Sequence, residues 1–382
     1  MEPATHLYIV GAGFSYNAGL PLATGFTEAL LAPPTPLKPN HANTILNAAI
    51  RRFVNDAFGA GGRVAPRNWP PLEDLFTTID LAANTGHHLG PRYSASLLRT
   101  IRRALIVRFM RMLRIAYNER ARRPDENWRN LERFMAGIDV TESAFLSLNW
   151  DTVIESGLSR TQGLHNIDYA CGAFAAEFTT GGGIKRRLFK PSVPTLRLLK
   201  PHGSVNWMYC DCCSRMYWFE PRETARIASR LFKGSDSEAV YGLIRRRATA
   251  VKTRALCPVC TAETLGTRFA TFSYRKALDF PMHLATWKEA ENQLRRADNW
   301  IFIGYSLPPA DYEFKFLLKR VQLSRPKPPR ITVITSGGAK SETAKNYKKF
   351  FGTKMIPTAD LFVDGLDATA LSHLESLGAL ST

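Results

Sequence analysis

The sequence lacks any hydrophobic run long enough to cross a membrane, and it has no low-complexity tract. Met1 to His6 carry no basic segment, and the apolar stretch Leu7 to Val10 falls far short of the roughly 20 residues a membrane helix needs. These absences set aside the membrane and secretory classes, and the expected location is the cytoplasm. Cysteine is scarce, six in 382 residues, and five of the six fall in two tight clusters. That is not a disulfide framework spread along a chain; it points to metal ligands in a reducing compartment. Acids are also few, 33 Asp and Glu against 51 Lys and Arg, for a formal net charge of +18. Such a field attracts polyanions, but the total does not separate a dinucleotide, an acidic protein and a nucleic acid.

What is present is the composition of an ordinary globular protein, 45% hydrophobic and 22% charged. The length exceeds the usual single domain of roughly 100–200 residues, so a large core with inserted modules is expected. His6 to Val10, Ala144 to Leu148, Leu196 to Lys200, Trp300 to Ile303 and Ile331 to Ile334 read as short buried strands. Helical patterns lie between them and no run of hairpins appears, which predicts an α/β fold, a Rossmann-like doubly wound parallel sheet. The expected core is 1–206 with 267–382, carrying a helical insert over 27–140 and a small zinc-binding module over 207–266. Proline interrupts the insert at Pro33 to Pro39, and glycine with proline at Gly59 to Pro71.

Each strand runs into small or polar residues. Gly11-Ala12-Gly13-Phe14-Ser15 follows the first, Asn149-Trp150-Asp151 the second and Pro201-His202-Gly203 the third. Gly304-Tyr305-Ser306 and Ser336-Gly337-Gly338 follow the last two. Ligands of open α/β sheets collect beyond the carboxyl ends of the strands, so these segments are expected to meet in one crevice. The glycine turn alone is equivocal. Its small residues would let backbone N–H groups approach a pyrophosphate, but the third glycine of the dinucleotide fingerprint is missing. The acid expected about 20 residues later has only Glu28 as a poor counterpart.

The continuation Asn17-Ala18-Gly19-Leu20-Pro21 changes the weight of that turn, because Gly-Ala-Gly-x-Ser followed by Gly-Leu-Pro resembles the opening of the Sir2 (sirtuin) family. Ser147-Leu148-Asn149-Trp150-Asp151 is similar to the family's T-x-N-x-D block, Lys200-Pro201-His202-Gly203-Ser204 to its H-G block, and Ile303-Gly304-Tyr305-Ser306-Leu307 to its G-[TY]-S-L block. The blocks keep the family order across roughly residues 7 to 336, with paired cysteines between the last two. The long insert, the segment Pro71 to Phe76 and the run Gly304 to Asp311 resemble bacterial SIR2-like antiphage-defence NADases more than protein deacylases.

The resemblance implies NAD⁺ as substrate. His202 would be the general base on a ribose hydroxyl or water, since imidazole titrates near working pH. Asn149 would orient the ribose and the attacking water, and Asp151 would read the nicotinamide amide. Trp150 stands where the family has a smaller residue, which puts the shape of that pocket in question. Gly11, Ala12, Gly13, Ser15, Gly304 and Ser306 would hold the diphosphate and ribose. The resemblance also implies a homo-oligomer or a HerA-type ATPase partner, with a nucleic acid as one candidate trigger and no membrane. A lysine deacylase is the alternative, disfavoured because Phe269 to Tyr274 lacks the family's peptide-binding phenylalanine-glycine-glutamate. A silent nucleotide- or nucleic-acid-binding subunit is a third reading.

Two C-x₂-C pairs, Cys210/Cys213 and Cys257/Cys260, suit a tetrahedral thiolate site for a structural zinc ion, with Cys212 able to replace a near neighbour. Cys171 stands alone and is expected to pack in the interior. Two basic stretches complete the reading. From Leu97 to Arg123 the arginines Arg99, Arg102, Arg103, Arg108, Arg111, Arg114, Arg120, Arg122 and Arg123 recur at amphipathic spacing. They read as a solvated basic face, with a contact surface toward an acidic protein or nucleic acid as the alternative. Arg245-Arg246-Arg247 reads the same way.

Overall fold

The computed structural model describes all residues except 1–3, 34–41, 61, 191, 232–233, 245–255, 264, 268–280, 309–310 and 382. Most of the Pro33 to Pro39 run, the Arg245 to Arg247 run, the Phe269 to Tyr274 segment, and Pro309 with Ala310 therefore lie outside the described residues.

Twelve strands occur among them: β1 His6–Val10, β2 Ser143–Ser147, β3 Ile167–Asp168, β4 Phe174–Phe178, β5 Ile184–Arg186, β6 Leu196–Leu199, β7 Trp207–Cys210, β8 Met216–Phe219, β9 Leu265–Gly266, β10 Asn299–Ile303, β11 Arg330–Ile334 and β12 Leu361–Phe362. Seven form one sheet in the order β12-β11-β10-β1-β2-β6-β3, and every neighbouring pair in it is parallel. The expected doubly wound parallel sheet is present. Alternate residues of β1 serve opposite faces: Tyr8 and Val10 join the core under the helices of the insert, while Leu7 and Ile9 join a second core with Phe314, Leu318 and Tyr347. Strands buried on both faces explain why the sequence shows continuous apolar runs rather than alternation.

Register decides where the site forms. His6 pairs with Asn299 on one side and Ser143 on the other, and Val10 with Ile303 and Ser147. Strands β10, β1 and β2 therefore end level with one another, and the turns that follow them lie side by side.

Between β1 and β2 every described element is helical, with long helices at Ala42–Phe58, Leu72–Thr85 and Ala95–Arg122. Six of the nine arginines, Arg99, Arg102, Arg103, Arg108, Arg111 and Arg120, are engaged within the fold, which overturns for them the reading of a solvated basic face, while Arg114, Arg122 and Arg123 are exposed as that reading expects. Arg102 pairs with Asp80 at 2.6 Å, Arg103 with Asp236, and Arg120 with Asp125, while Arg99 donates to the Ala83 carbonyl at 2.8 Å. Arg108 is buried and donates to the Leu30 and Ala32 carbonyls at 3.1 and 2.9 Å. Those carbonyls end the helix Phe26–Leu31, so the guanidinium lies at the negative end of a helix dipole. Arg111 donates to Asn43 at 2.7 Å, and burial pushes its pKa down to about 10. Spacing alone could not reveal these roles, because their partners lie on other helices.

A second sheet, in the order β5-β4-β8-β7-β9, carries the cysteines. It takes β4 and β5 from upstream of residue 207 and includes the antiparallel pairs β4/β5, β7/β8 and β7/β9. No described helix is long and apolar enough to cross a membrane.

Candidate active site

A cavity of about 420 Å³ opens at the carboxyl ends of β1, β2, β6 and β10. Its lining includes every residue assigned to substrate from the sequence: Gly11, Ala12, Gly13, Ser15, Asn149, Asp151, His202, Gly304 and Ser306. Phe26 lines it too, and the insert contributes Glu73, Phe109 and Leu113.

The glycines have a further role, which is to let two turns touch. Gly11 donates to the Ile303 carbonyl at 3.1 Å, and Gly13 to that of Gly304 at 2.8 Å. A Cβ on Gly13 would lie 2.8 Å from the Gly304 Cα, and one on Gly304, at φ +62°, would lie 2.1 Å from the Phe14 nitrogen. Backbone packs directly on backbone here, so only glycine fits. The Gly13 N–H, engaged with Gly304, is committed within the fold rather than aimed at a phosphate.

Asn149 and Asp151 are held through Ser15. The Asn149 Nδ2 donates to the Gly11 carbonyl at 2.8 Å and to Ser15 Oγ at 2.9 Å, and Ser15 Oγ donates to Asp151 Oδ2 at 2.7 Å. Both amide protons are thereby used, and the Asn149 Oδ1 is the group left to orient a hydroxyl or water. The other Asp151 oxygen, Oδ1, accepts the Val153 N–H at 2.9 Å, so the carboxylate is fixed at both atoms. Ser15 thus links two site residues, beyond the diphosphate contact expected of it.

His202 is presented by a turn in which Gly203, at φ +83°, donates to the Lys200 carbonyl at 2.9 Å. Its Nδ1 lies 3.2 Å from the Leu148 carbonyl. A carbonyl only accepts, so Nδ1 carries the proton and Nε2 is the basic nitrogen. His202 is 5% exposed, and two indoles stand near its ring, Trp150 at 6.3 Å and Trp287 at 6.2 Å between centroids. Trp150, the departure from the family pattern, also meets Phe109 edge-on at 6.4 Å and so joins the site to the insert.

Beneath these loops is a buried ion pair. Lys200 Nζ donates to the Asp151 carbonyl, to Glu155 Oε1 at 3.2 Å and to Ser204 Oγ at 2.8 Å, using all three of its protons. Tyr169 OH donates to the same Glu155 oxygen at 3.0 Å, and Asn206 donates to Tyr169 at 3.1 Å. The ammonium ties the loop after β2 to the loop after β6.

The sequence reading missed Glu73, Asp311 and Thr335 as lining residues. Glu73 and Asp311 lie in segments already notable by resemblance, and Asp311 accepts from Tyr305 OH at 3.0 Å. Glu28, the poor ribose candidate, lines a separate cavity.

The cysteines converge as expected. Sγ atoms of Cys210, Cys213, Cys257 and Cys260 lie within 4.8 Å of one another, with Cys210···Cys260 at 3.5 Å and Cys213···Cys257 at 3.7 Å. A tetrahedron with zinc–sulfur bonds of about 2.3 Å has edges of about 3.8 Å, so the four thiols fit that ion. Two matching turns build the site: Ser214 N–H donates to the Cys210 carbonyl and Thr261 N–H to that of Cys257, with Ser214 and Thr261 both at positive φ. Cys212 is exposed and outside the cluster, which removes the ambiguity over the ligand set. Cys171 is buried, and burial pushes its thiol up to about 12, the behaviour of a packed thiol. The purified protein is expected to hold about one zinc per chain by elemental analysis, and Cys257→Ser to lose it with a fall of several degrees in melting temperature.

No protein-family model matches the chain, and no curated protein matches it. Among solved structures it is similar to a Sir2 with a deacetylated peptide and 3′-O-acetyl ADP ribose, at 12% identity and TM-score 0.41, covering 100% of this chain and 96% of that one. It is also similar to a Sir2 with a p53 peptide and NAD⁺, at 13% identity and TM-score 0.35, covering 99% and 94%. A Sir2 bound to an acetylated peptide gives 12% identity and TM-score 0.36, covering 100% and 95%.

Proposed function

We propose that the cleft cleaves NAD⁺ between nicotinamide and ribose and hydrolyses the product to ADP-ribose. The observation that carries this reading is the meeting of Asn149, Asp151 and His202 with the Gly11 and Gly304 turns around one cavity. The leaving group departs neutral from a pyridinium and needs no general acid. The positive charge that develops on the ribosyl carbon is stabilised by fixed dipoles, for which the Asn149 Oδ1 is suited, while the anchored Asp151 reads the nicotinamide amide. His202 Nε2 takes a proton from the ribose hydroxyl or from the incoming water.

The biological setting belongs to the same proposal: a cytoplasmic effector that depletes NAD⁺ during phage infection, restrained until an oligomer, a HerA-type partner or a nucleic-acid trigger releases it. The test is incubation of the purified chain with NAD⁺ and no peptide, with and without these triggers, followed by quantification of nicotinamide and ADP-ribose. Equal release of both supports hydrolysis. Release only with an acylated peptide supports deacylation, and no release under any condition supports a silent binding subunit. Ser15→Ala is expected to lower kcat about tenfold with little change in KM, because Asn149 and Asp151 lose their common anchor while the glycine turns stay in place. Steady-state kinetics checks that split.

A further inference from the structure

A second cavity, of about 460 Å³, adjoins the first and shares Leu20, Leu113 and Asp151 with it. Three guanidiniums line it, those of Arg114, Arg160 and Arg222, against two carboxylates, Asp151 and Glu220. Both acids are already served. Asp151 is anchored by Ser15 and the Val153 N–H, and Glu220 takes Arg187, Arg222 at 2.7 Å and the His165 imidazole at 3.4 Å. Three arginines thus face two acids on the wall; Arg222 is shared with Glu220 and Arg160 with Glu132, and Arg114 adds a cation beyond these pairs. Arg160 is fixed in position by Glu132 at 3.0 Å and by the Trp128 ring at 5.1 Å. Hydroxyls of Ser156 and Ser159 line the same space.

We propose that this second cavity binds a small phosphorylated ribose, a sugar phosphate or mononucleotide, whose occupancy acts on the reaction through Asp151. Guanidiniums match the phosphate in charge and in hydrogen-bonding geometry, and the serines match the sugar hydroxyls. A concave space lined by apolar side chains, here Leu20, Met110, Leu113, Val153 and Val205, together with a few polar groups is the form such sites take, and this one falls within their usual range of about 300–1,000 Å³. The surplus of positive charge also registers on neighbouring groups. His165 is held below its ordinary pKa first by burial and then by the charges of Arg187 and Arg222, even with Glu220 beside it. Because the two cavities share Asp151, a ligand in the second bears on a group of the first, and the coupling is reciprocal.

Binding stands independently of the proposed hydrolysis; the effect on turnover rests on that reading. Titration calorimetry with ribose 5-phosphate, AMP and inorganic phosphate tests the binding. The expected result is a site for ribose 5-phosphate in the wild type whose affinity falls about tenfold or more in Arg114→Glu and in Arg222→Glu, and stays unchanged in Asn149→Ala. Arg114 and Arg222 are exposed, and Arg187 still pairs with Glu220 once Arg222 is replaced, so both variants are expected to keep the wild-type circular dichroism spectrum. Inorganic phosphate is expected to bind more weakly than ribose 5-phosphate and with the same dependence on arginine. No heat from any probe up to millimolar concentration overturns the proposal. So does binding that Asn149→Ala abolishes and Arg114→Glu spares, since the probe would then occupy the first cavity. Where the wild type turns over NAD⁺, ribose 5-phosphate is expected to change kcat in it and not in Arg114→Glu.

Discussion

Asn149→Ala and His202→Ala are each expected to cut nicotinamide release about 100-fold or more, with the melting temperature moving by only a few degrees. In the proposed reaction His202 supplies the basic nitrogen, held in orientation by its other nitrogen at 3.2 Å from the Leu148 carbonyl. Asn149 differs in that its side chain also bonds the fold, through Gly11 and Ser15 at 2.8 and 2.9 Å. Two such bonds contribute about 1–3 kcal/mol together, which sets the small thermal shift. Single-turnover release of nicotinamide, measured alongside a melting curve, separates the chemical loss from the structural one. Near wild-type rates in both variants would remove these residues from the reaction.

Lys200→Met is expected to destabilise the protein by about 3–5 kcal/mol, because it leaves the Glu155 carboxylate buried without its cation. The side chains of Lys200 and Glu155 are 1% and 3% exposed, and neither lines the cavity at the strand ends. The double variant Lys200→Met/Glu155→Gln removes both charges and is expected to regain most of the lost stability, since isosteric neutral pairs often match buried ion pairs. Urea unfolding of the wild type, both single variants and the double variant measures the coupling. A Lys200→Met variant within about 1 kcal/mol of wild type would show that the pair does not brace the loops.

The parts of this molecule that a sequence can show are those set by local pattern. The five strands read from apolar runs match β1, β2, β6, β10 and β11 to within a residue at each end, because strands buried on both faces must be continuously apolar. The convergence of their loops follows from parallel pairing in register. Strands β3, β9 and β12 have two residues each, too few to leave a pattern. Ser15 as a link between Asn149 and Asp151 was not readable either, since its partners lie more than 130 positions away in sequence. The arginines of the long helix show the converse limit. Their spacing fits an amphipathic surface, which Arg114 and Arg122 keep, but Asp80, Asp236 and the free carbonyls of a neighbouring helix turn Arg102, Arg103 and Arg108 inward. The cysteine pairs were legible as a metal site because C-x₂-C places two thiols on one turn; excluding Cys212 required the fold.

The most direct test of the whole account is a crystal structure of His202→Ala with NAD⁺ bound. The account predicts the nicotinamide riboside bond beside Asn149 and the vacated imidazole position, the carboxamide near Asp151, and the diphosphate along the Gly11 and Gly304 turns. A dinucleotide seated elsewhere, or with its nicotinamide end turned away from Asn149, would contradict it.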